Sequence, residues 1–225
     1  MEKFYDGEKR TFTDSCYLIR NGSRYLLWDA GLPAALKGTS NTSGVFTVSV
    51  DTTIAEQLEQ LSLSPANINF VGISHYHFDH VGQPEAAGDA RWLVHQAEYD
   101  YMFSDEPPGD FSAFEKFEPE KFTGDHDVFG DGAIRIMEMP GHTPGHTVLL
   151  VNMAEAGPVQ LAGDMYHRKE SREGVRVPSF NTDTDATKSS IERFEAIAEA
   201  SKALVIIQHE PDDIAKLPKA PEALK

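Results

Sequence analysis

Short apolar runs alternate with polar, turn-rich stretches along the whole chain. Residues 16–20 and 24–29 are two such runs, and Asn21-Gly22 between them predicts a tight hairpin. Residues 38–44, all Ser, Thr, Asn or Gly, read as a polar loop, followed by a short β-prone run at 45–50. Thr53 and Glu56 have the spacing of a capping box, and Ile54, Leu58 and Leu61 then recur on one helical face. Residues 69–73 form an apolar strand pattern that runs straight into Ser74-His75. Residues 91–95 predict another strand and 96–103 a short helix. Residues 105–124, rich in Pro, Glu, Asp and Phe, read as a long surface excursion and a candidate lid. Strands are predicted at 133–137, 147–153, 159–162 and 203–207. A helix is predicted at 186–203 with Ile191, Phe194, Ile197 and Ala198 on one side, and Pro211 opens a last helix. Alternating strands and helices imply a mixed α and β fold with layered sheets.

Composition narrows this picture. A chain of 225 residues reads as a single domain over residues 1–225, long enough for a core without disulfides. Hydrophobic residues make up 40% and charged residues 25%, ordinary for a soluble globular protein. The 20 Lys and Arg against 36 Asp and Glu give a net charge of −16. Such a polyanion repels nucleic acid and anionic membrane surfaces. A single cysteine, Cys16, allows neither an internal disulfide nor a multi-cysteine zinc site. No apolar run approaches the roughly 18 residues of a membrane span, and the first ten residues lack the apolar core of a signal peptide. The expected location is cytoplasmic, or periplasmic or secreted if a leader was removed.

The chemistry concentrates in His75-x-His77-x-Asp79-His80. In an extended segment, residues two apart face the same way, so His75 and His77 can grip one ion while Asp79 and His80 reach a second. Burying four such side chains without a metal would be costly. Imidazole and carboxylate suit zinc, with iron, manganese or cobalt as alternatives. His142 in a Pro/Gly turn, Asp164 after the 159–162 strand and His209 after the 203–207 strand complete two sets. His75, His77 and His142 form one, Asp79, His80 and His209 the other, and Asp164 bridges them. Two cations about 3.5–4 Å apart can activate a bridging hydroxide for attack and polarise a carbonyl.

In order and approximate spacing, these seven residues resemble the metallo-β-lactamase-fold hydrolases. The resemblance runs from Asp14 to about Leu217 and implies a four-layer αββα sandwich. The stretches 13–19, 28–33 and 177–183 and the Gln208-His209 ending look most like the N-acyl-homoserine lactonase branch. That branch implies hydrolysis of a lactone or ester, first of all an N-acyl-homoserine lactone. The alternatives are a glyoxalase II-type thioesterase, a phosphotriesterase, or a catalytically silent metal-binding protein. The bridging Asp164 argues against a zinc β-lactamase. The short, weakly basic stretch after His209 argues against a glutathione thioesterase. A homodimer is compatible with the pattern.

The resemblance also places a leaving-group tyrosine three residues after the bridging aspartate, where this chain has His167 with Tyr166 one residue earlier. Asp79, Tyr166 and His167 are therefore the catalytic candidates, and His146 a support for the ligands. His95 and His126 read as ordinary surface or turn residues, and Cys16 as a small buried hydrophobe. Phe111, Phe114 and Phe180, in polar, turn-rich surroundings, are candidates for an acyl pocket. Relatives usually carry one more strand before the first hairpin, for which residues 1–10 are the candidate.

Overall fold

The computed structural model describes residues 7–225. Along the chain run β1 (Tyr17–Asn21), β2 (Arg24–Trp28), β3 (Ser40–Ser43), β4 (Phe46–Ser49), α1 (Ile54–Gln60), β5 (Phe70–Gly72), β6 (Arg91–His95), α2 (Gln96–Met102) and β7 (Pro119–Phe122). There follow β8 (His126–Asp127), β9 (Ile134–Glu138), β10 (Thr147–Met153), β11 (Gly157–Leu161), α3 (Lys169–Glu173), α4 (Thr184–Ser201), β12 (Leu204–Ile206) and α5 (Pro211–Ile214).

Local signals in the sequence translate directly. The Thr53–Glu56 capping box forms, and α1 buries Ile54 and Leu58. Asp183 caps α4 by accepting the backbone N–H groups of Asp185 and Ala186, and the helix buries Ile191, Phe194 and Ala198. The first hairpin pairs Asn21 with Arg24, so Gly22-Ser23 forms the turn, one residue later than Asn21-Gly22 suggests. Gly22 adopts φ +61°, a conformation that suits a residue without a Cβ.

Two five-stranded sheets carry the fold, in the orders β1-β2-β5-β6-β7 and β12-β11-β10-β9-β8. Side chains alternate across each strand, and both faces of both sheets are covered. Leu26, Trp28 and Leu93 point inward against Ile136, Leu149, Val151 and Leu161 of the other sheet. Leu27, Val71, Trp92 and Val94 point outward under α1 and α2. Met137, Val148, Leu150 and Val205 point outward under Phe194 and Ala198 of α4. This is the four-layer αββα sandwich.

Three expectations change. Residues 38–44 do not form a plain loop: residues 40–43 pair with β4 as a separate two-stranded hairpin. Its polar composition reflects exposure, not the lack of a strand. Residues 105–124 are not one surface excursion, because only 105–110 are continuously exposed. Phe111, Phe114 and Phe117 turn into the core around Trp92, and β7 then adds a parallel strand beside β6. Phe111 and Phe114 therefore stabilise that core by burial and leave the list of pocket residues. The extra strand expected in residues 1–10 lies outside the described residues up to position 6, and residues 7–10 carry no strand. Among the described residues, no helix is long and apolar enough to cross a membrane.

Candidate metal centre

All seven ligand candidates sit on loops at one edge of the sandwich. Residues 75–80 leave β5, Asp164 leaves β11 and His209 leaves β12, while His142 sits in the turn between β9 and β10. β5 runs parallel to β2, and β11 parallel to β12, so these loops emerge on a shared side. Gly163 adopts φ +51°, and a Cβ there would stand 2.8 Å from His146 Nε2. Glycine is thus required for the turn that delivers Asp164.

The donor atoms fall into two groups, His75, His77, His142 and Asp164 in one and Asp79, His80 and His209 in the other. In the first, His75 Nε2, His77 Nδ1 and His142 Nε2 lie 3.0–3.2 Å apart. Asp164 Oδ2 is 3.5 Å from His75 Nε2 and 3.4 Å from His142 Nε2. Donors bound to one zinc at 2.0–2.1 Å in a tetrahedron stand about 3.3 Å from each other. The group has those spacings. The other Asp164 oxygen, Oδ1, lies 2.9 Å from His209 Nε2 and 3.4 Å from His80 Nε2. Asp79 closes the second group at 3.8 Å from His209 Nε2 and 4.0 Å from His80 Nε2. His80 Nε2 and Asp164 Oδ1 are both buried without a hydrogen-bond partner, the condition that a cation between them would relieve. The residues fit a pair of divalent cations with Asp164 shared between them.

Hydrogen bonds behind the ligands select the tautomers this needs. Nδ1 of His80 faces Asp29 Oδ2 at 3.1 Å, Nδ1 of His142 faces Asn181 Oδ1 at 3.0 Å, and Nδ1 of His209 donates to Thr13 O at 2.7 Å. With Nδ1 so engaged, Nε2 is the nitrogen each ring would offer to a cation. His146 donates from Nδ1 to Met139 O and accepts the Asp164 N–H at Nε2, so it supports the bridging residue as expected.

Charge follows burial. Burial, with the neighbouring imidazoles, pulls His77 down to about 4 and His75 well below the ordinary histidine value, which keeps both neutral and ready to bind metal. His209 is opposed by burial but raised to about 9 by the Asp164 carboxylate. Burial would raise the Asp164 carboxyl, yet the surrounding histidines hold it well below the usual carboxylate range. Holding a cation in the second group would require His209 to give up that proton.

The two candidate acids part company. His167 Nε2 lies 3.2 Å from Asp164 Oδ2, and its ring stacks at 8° on that of His209. Tyr166 does not reach the site. It is 1% exposed, packs on Phe194 and donates its hydroxyl to Glu195 at 2.8 Å. Consecutive residues in an extended conformation face opposite ways, so only one of the two can look at the metals. Phe180 is 65% exposed, 5.9 Å from the His142 ring and 5.7 Å from that of His167. His95 is buried, caps α2 and pairs with Glu138, so it is not a surface residue. His126 is half-buried and stacks on Phe122.

Several contributors escape a reading of the sequence. Asp29 is fully buried at φ +61° and accepts from Ser74 as well as facing His80. Phe12 and Phe78 add exposed rings, Phe12 against His209 and Phe78 within the ligand motif, where its place between His77 and Asp79 was a signal. Glu98 accepts from Tyr76 N–H, Thr143 Oγ1 and Gly145 N–H, tying the two loops of the first group to α2. Burial raises its carboxyl to about 7. Glu98→Ala orphans two buried donors and the part-buried Tyr76 N–H, and each unsatisfied buried donor costs about 1–3 kcal/mol. Urea unfolding of the metal-free variant is expected to show a loss of several kcal/mol, and an unchanged midpoint would refute the tie.

A profile of the Metallo-beta-lactamase superfamily matches residues 11–209. The chain belongs to that superfamily. It is a metal-dependent hydrolase of the metallo-β-lactamase fold, with a divalent-metal site built by histidine and aspartate. It is 31% identical over 180 residues to the N-acyl homoserine lactonase AttM of Rhizobium radiobacter, covering 74% of this chain and 67% of that protein. An N-acyl homoserine lactonase of Bacillus sp is 28% identical over 203 residues, 87% of this chain and 80% of the other. An N-acyl homoserine lactone hydrolase solved with N-hexanoyl-L-homoserine at its catalytic metal centre superposes with TM-score 0.82 at 24% identity, over 95% of this chain and 87% of that one. AidC, described as a dizinc quorum-quenching lactonase, superposes with TM-score 0.66 at 17% identity, over 89% and 73%.

Proposed function

We propose that the protein opens the ring of N-acyl homoserine lactones with two zinc ions bound at this site. The split of Asp164, one oxygen facing each donor group, carries the reading, and the named activities of the AttM and Bacillus relatives support the substrate class. His75, His77, His142 and Asp164 would hold one ion; Asp79, His80, His209 and Asp164 the other. When bound, the cations supply an activated water and a Lewis acid for the carbonyl.

The chain's own side chains do the rest. Water adds to the lactone carbonyl carbon, the ring C–O bond to that carbon breaks, and the ring oxygen must take up a proton. His167 presents an N–H beside Asp164 and is the donor to that leaving oxygen. Asp79, a ligand whose carboxylate is 22% exposed, is the base that accepts the proton from water. Phe180 gives the acyl chain an apolar wall next to His142 and His167.

A ranked substrate comparison tests this. Turnover of long-chain N-acyl homoserine lactones should exceed that of S-lactoylglutathione and of organophosphate triesters. The reverse order would move the protein to the thioesterase or phosphotriesterase class.

A further inference from the structure

The two donor groups are braced differently. In the first, the outer nitrogens of His75 and His142 face the side chains of Ser74 and Asn181, both buried. In the second, His80 rests on buried Asp29, but His209 rests on the backbone carbonyl of Thr13. Thr13 belongs to residues 11–15, a stretch ahead of β1 that lies in neither sheet.

That stretch is laced to the His209 loop. Thr13 Oγ1 donates to Gln208 O at 2.8 Å, and Ser15 Oγ donates to the same carbonyl at 3.2 Å. Gln208 Nε2 returns a bond to Ser15 O at 2.7 Å. Arg168, directly after His167, donates from one arm to Thr11 O at 3.0 Å and pairs with buried Glu210 at 2.9 Å. Its guanidinium also lies 5.7 Å from the Phe12 ring, which itself meets His209 edge-on at 6.0 Å. Arg168 thus joins the Asp164–His167 loop, the His209 loop and residues 11–15.

We propose that residues 11–15 are a strap that sets the affinity of the second metal site, so that the two sites load unequally. The inference rests on the two-metal reading above. A histidine whose outer nitrogen loses its acceptor must pay in ordering what the acceptor supplied, and ligand-supporting partners are typically worth about 10–100-fold in metal affinity. Linkage makes the effect reciprocal: the ion that fixes His209 also fixes Thr13, and with it Phe12 at the rim.

The test is a Zn²⁺ titration of chelator-stripped protein by calorimetry, paired with amide hydrogen exchange. The double variant Thr13→Val, Arg168→Lys removes the hydroxyl tie and the guanidinium fork while keeping a cation for Glu210. It should weaken the second zinc equivalent about 10–100-fold and leave the first unchanged. In the wild type, the second equivalent, not the first, should protect the amides of residues 13–15. Asn181→Leu should show the opposite bias and weaken the first equivalent. If the double variant fails to fold, Thr13→Val alone makes the same comparison with a smaller shift. Equal weakening of both equivalents, or no change in the second, would overturn the strap while two equivalents in the wild type uphold the metal pair. A wild-type protein that takes up one equivalent only would overturn both.

Discussion

Asp164→Ala should abolish most hydrolysis and strip metal from the protein at once. The carboxylate sends one oxygen toward His75 and His142 and the other toward His80 and His209. No other described side chain is shared between the two groups. Its removal would take an oxygen donor from both groups at once. Lewis-acid stabilisation by a bound cation is worth several kcal/mol, so a fall of about 10³-fold or more in kcat/KM is expected. Elemental analysis should fall from two equivalents to one or fewer. Asp164→Asn, which keeps one carbonyl oxygen and the fit in the buried turn, should retain more metal than the alanine variant. Wild-type turnover and two equivalents of metal in Asp164→Ala would show that the carboxylate does not bridge. The same logic applies to the wild type: exhaustive chelation should remove activity, and zinc should restore it.

His167→Phe should slow lactone opening far more than aryl ester cleavage. A lactone expels an alkoxide, a poor leaving group, while an aryl ester expels a phenoxide that needs little help. Assistance by a positioned proton donor is typically worth about 10²–10⁴-fold, and that is the expected selective loss. Phenylalanine keeps the ring between His209 and Phe180, so the change isolates the N–H. Tyr166→Phe is the contrast. Its hydroxyl donates to Glu195, which is also held by Arg172, on the far side from the metals. Losing that charge-assisted bond costs about 1.5–3 kcal/mol of stability, with the ratio of lactone to aryl ester rates unchanged. Equal, small effects of His167→Phe on both substrates would mean that the cations alone stabilise the leaving oxygen.

The ligand set was legible in the sequence because metal chemistry is written in residue type and short spacing. His75, His77, Asp79 and His80 follow a strand at intervals that an extended chain turns into one face. Helices α1 and α4 were legible for a similar reason, since the capping box at Thr53 and the stripe Ile191, Phe194, Ala198 are local signals, whereas the short α3 went unread. Strands buried on both faces showed as continuous apolar runs, as in β10.

Tertiary structure alone decided which side chains support the ligand candidates and which of two adjacent residues faces the donor groups. Asp29, Glu98 and Thr13 lie 51, 47 and 196 positions from His80, Gly145 and His209, the partners they hold. No local pattern encodes such pairs, because they meet only when the sheets have packed. Residues 105–124 misled for the same reason. Their Pro, Asp and Glu are those of a surface loop, but Phe111, Phe114 and Phe117 recur every third position. Whether such a row lines a pocket or fills a core depends on what stands opposite, and here that is Trp92. Tyr166 and His167 were chemically equivalent choices until the chain direction after Asp164 fixed one against Glu195 and the other against the metal ligands. Residue chemistry thus determined which side chains could hold divalent metal. The packing of loops on two sheets determined how each ligand is held and which neighbour can act on the substrate, because orientation is a property of contacts made across the fold.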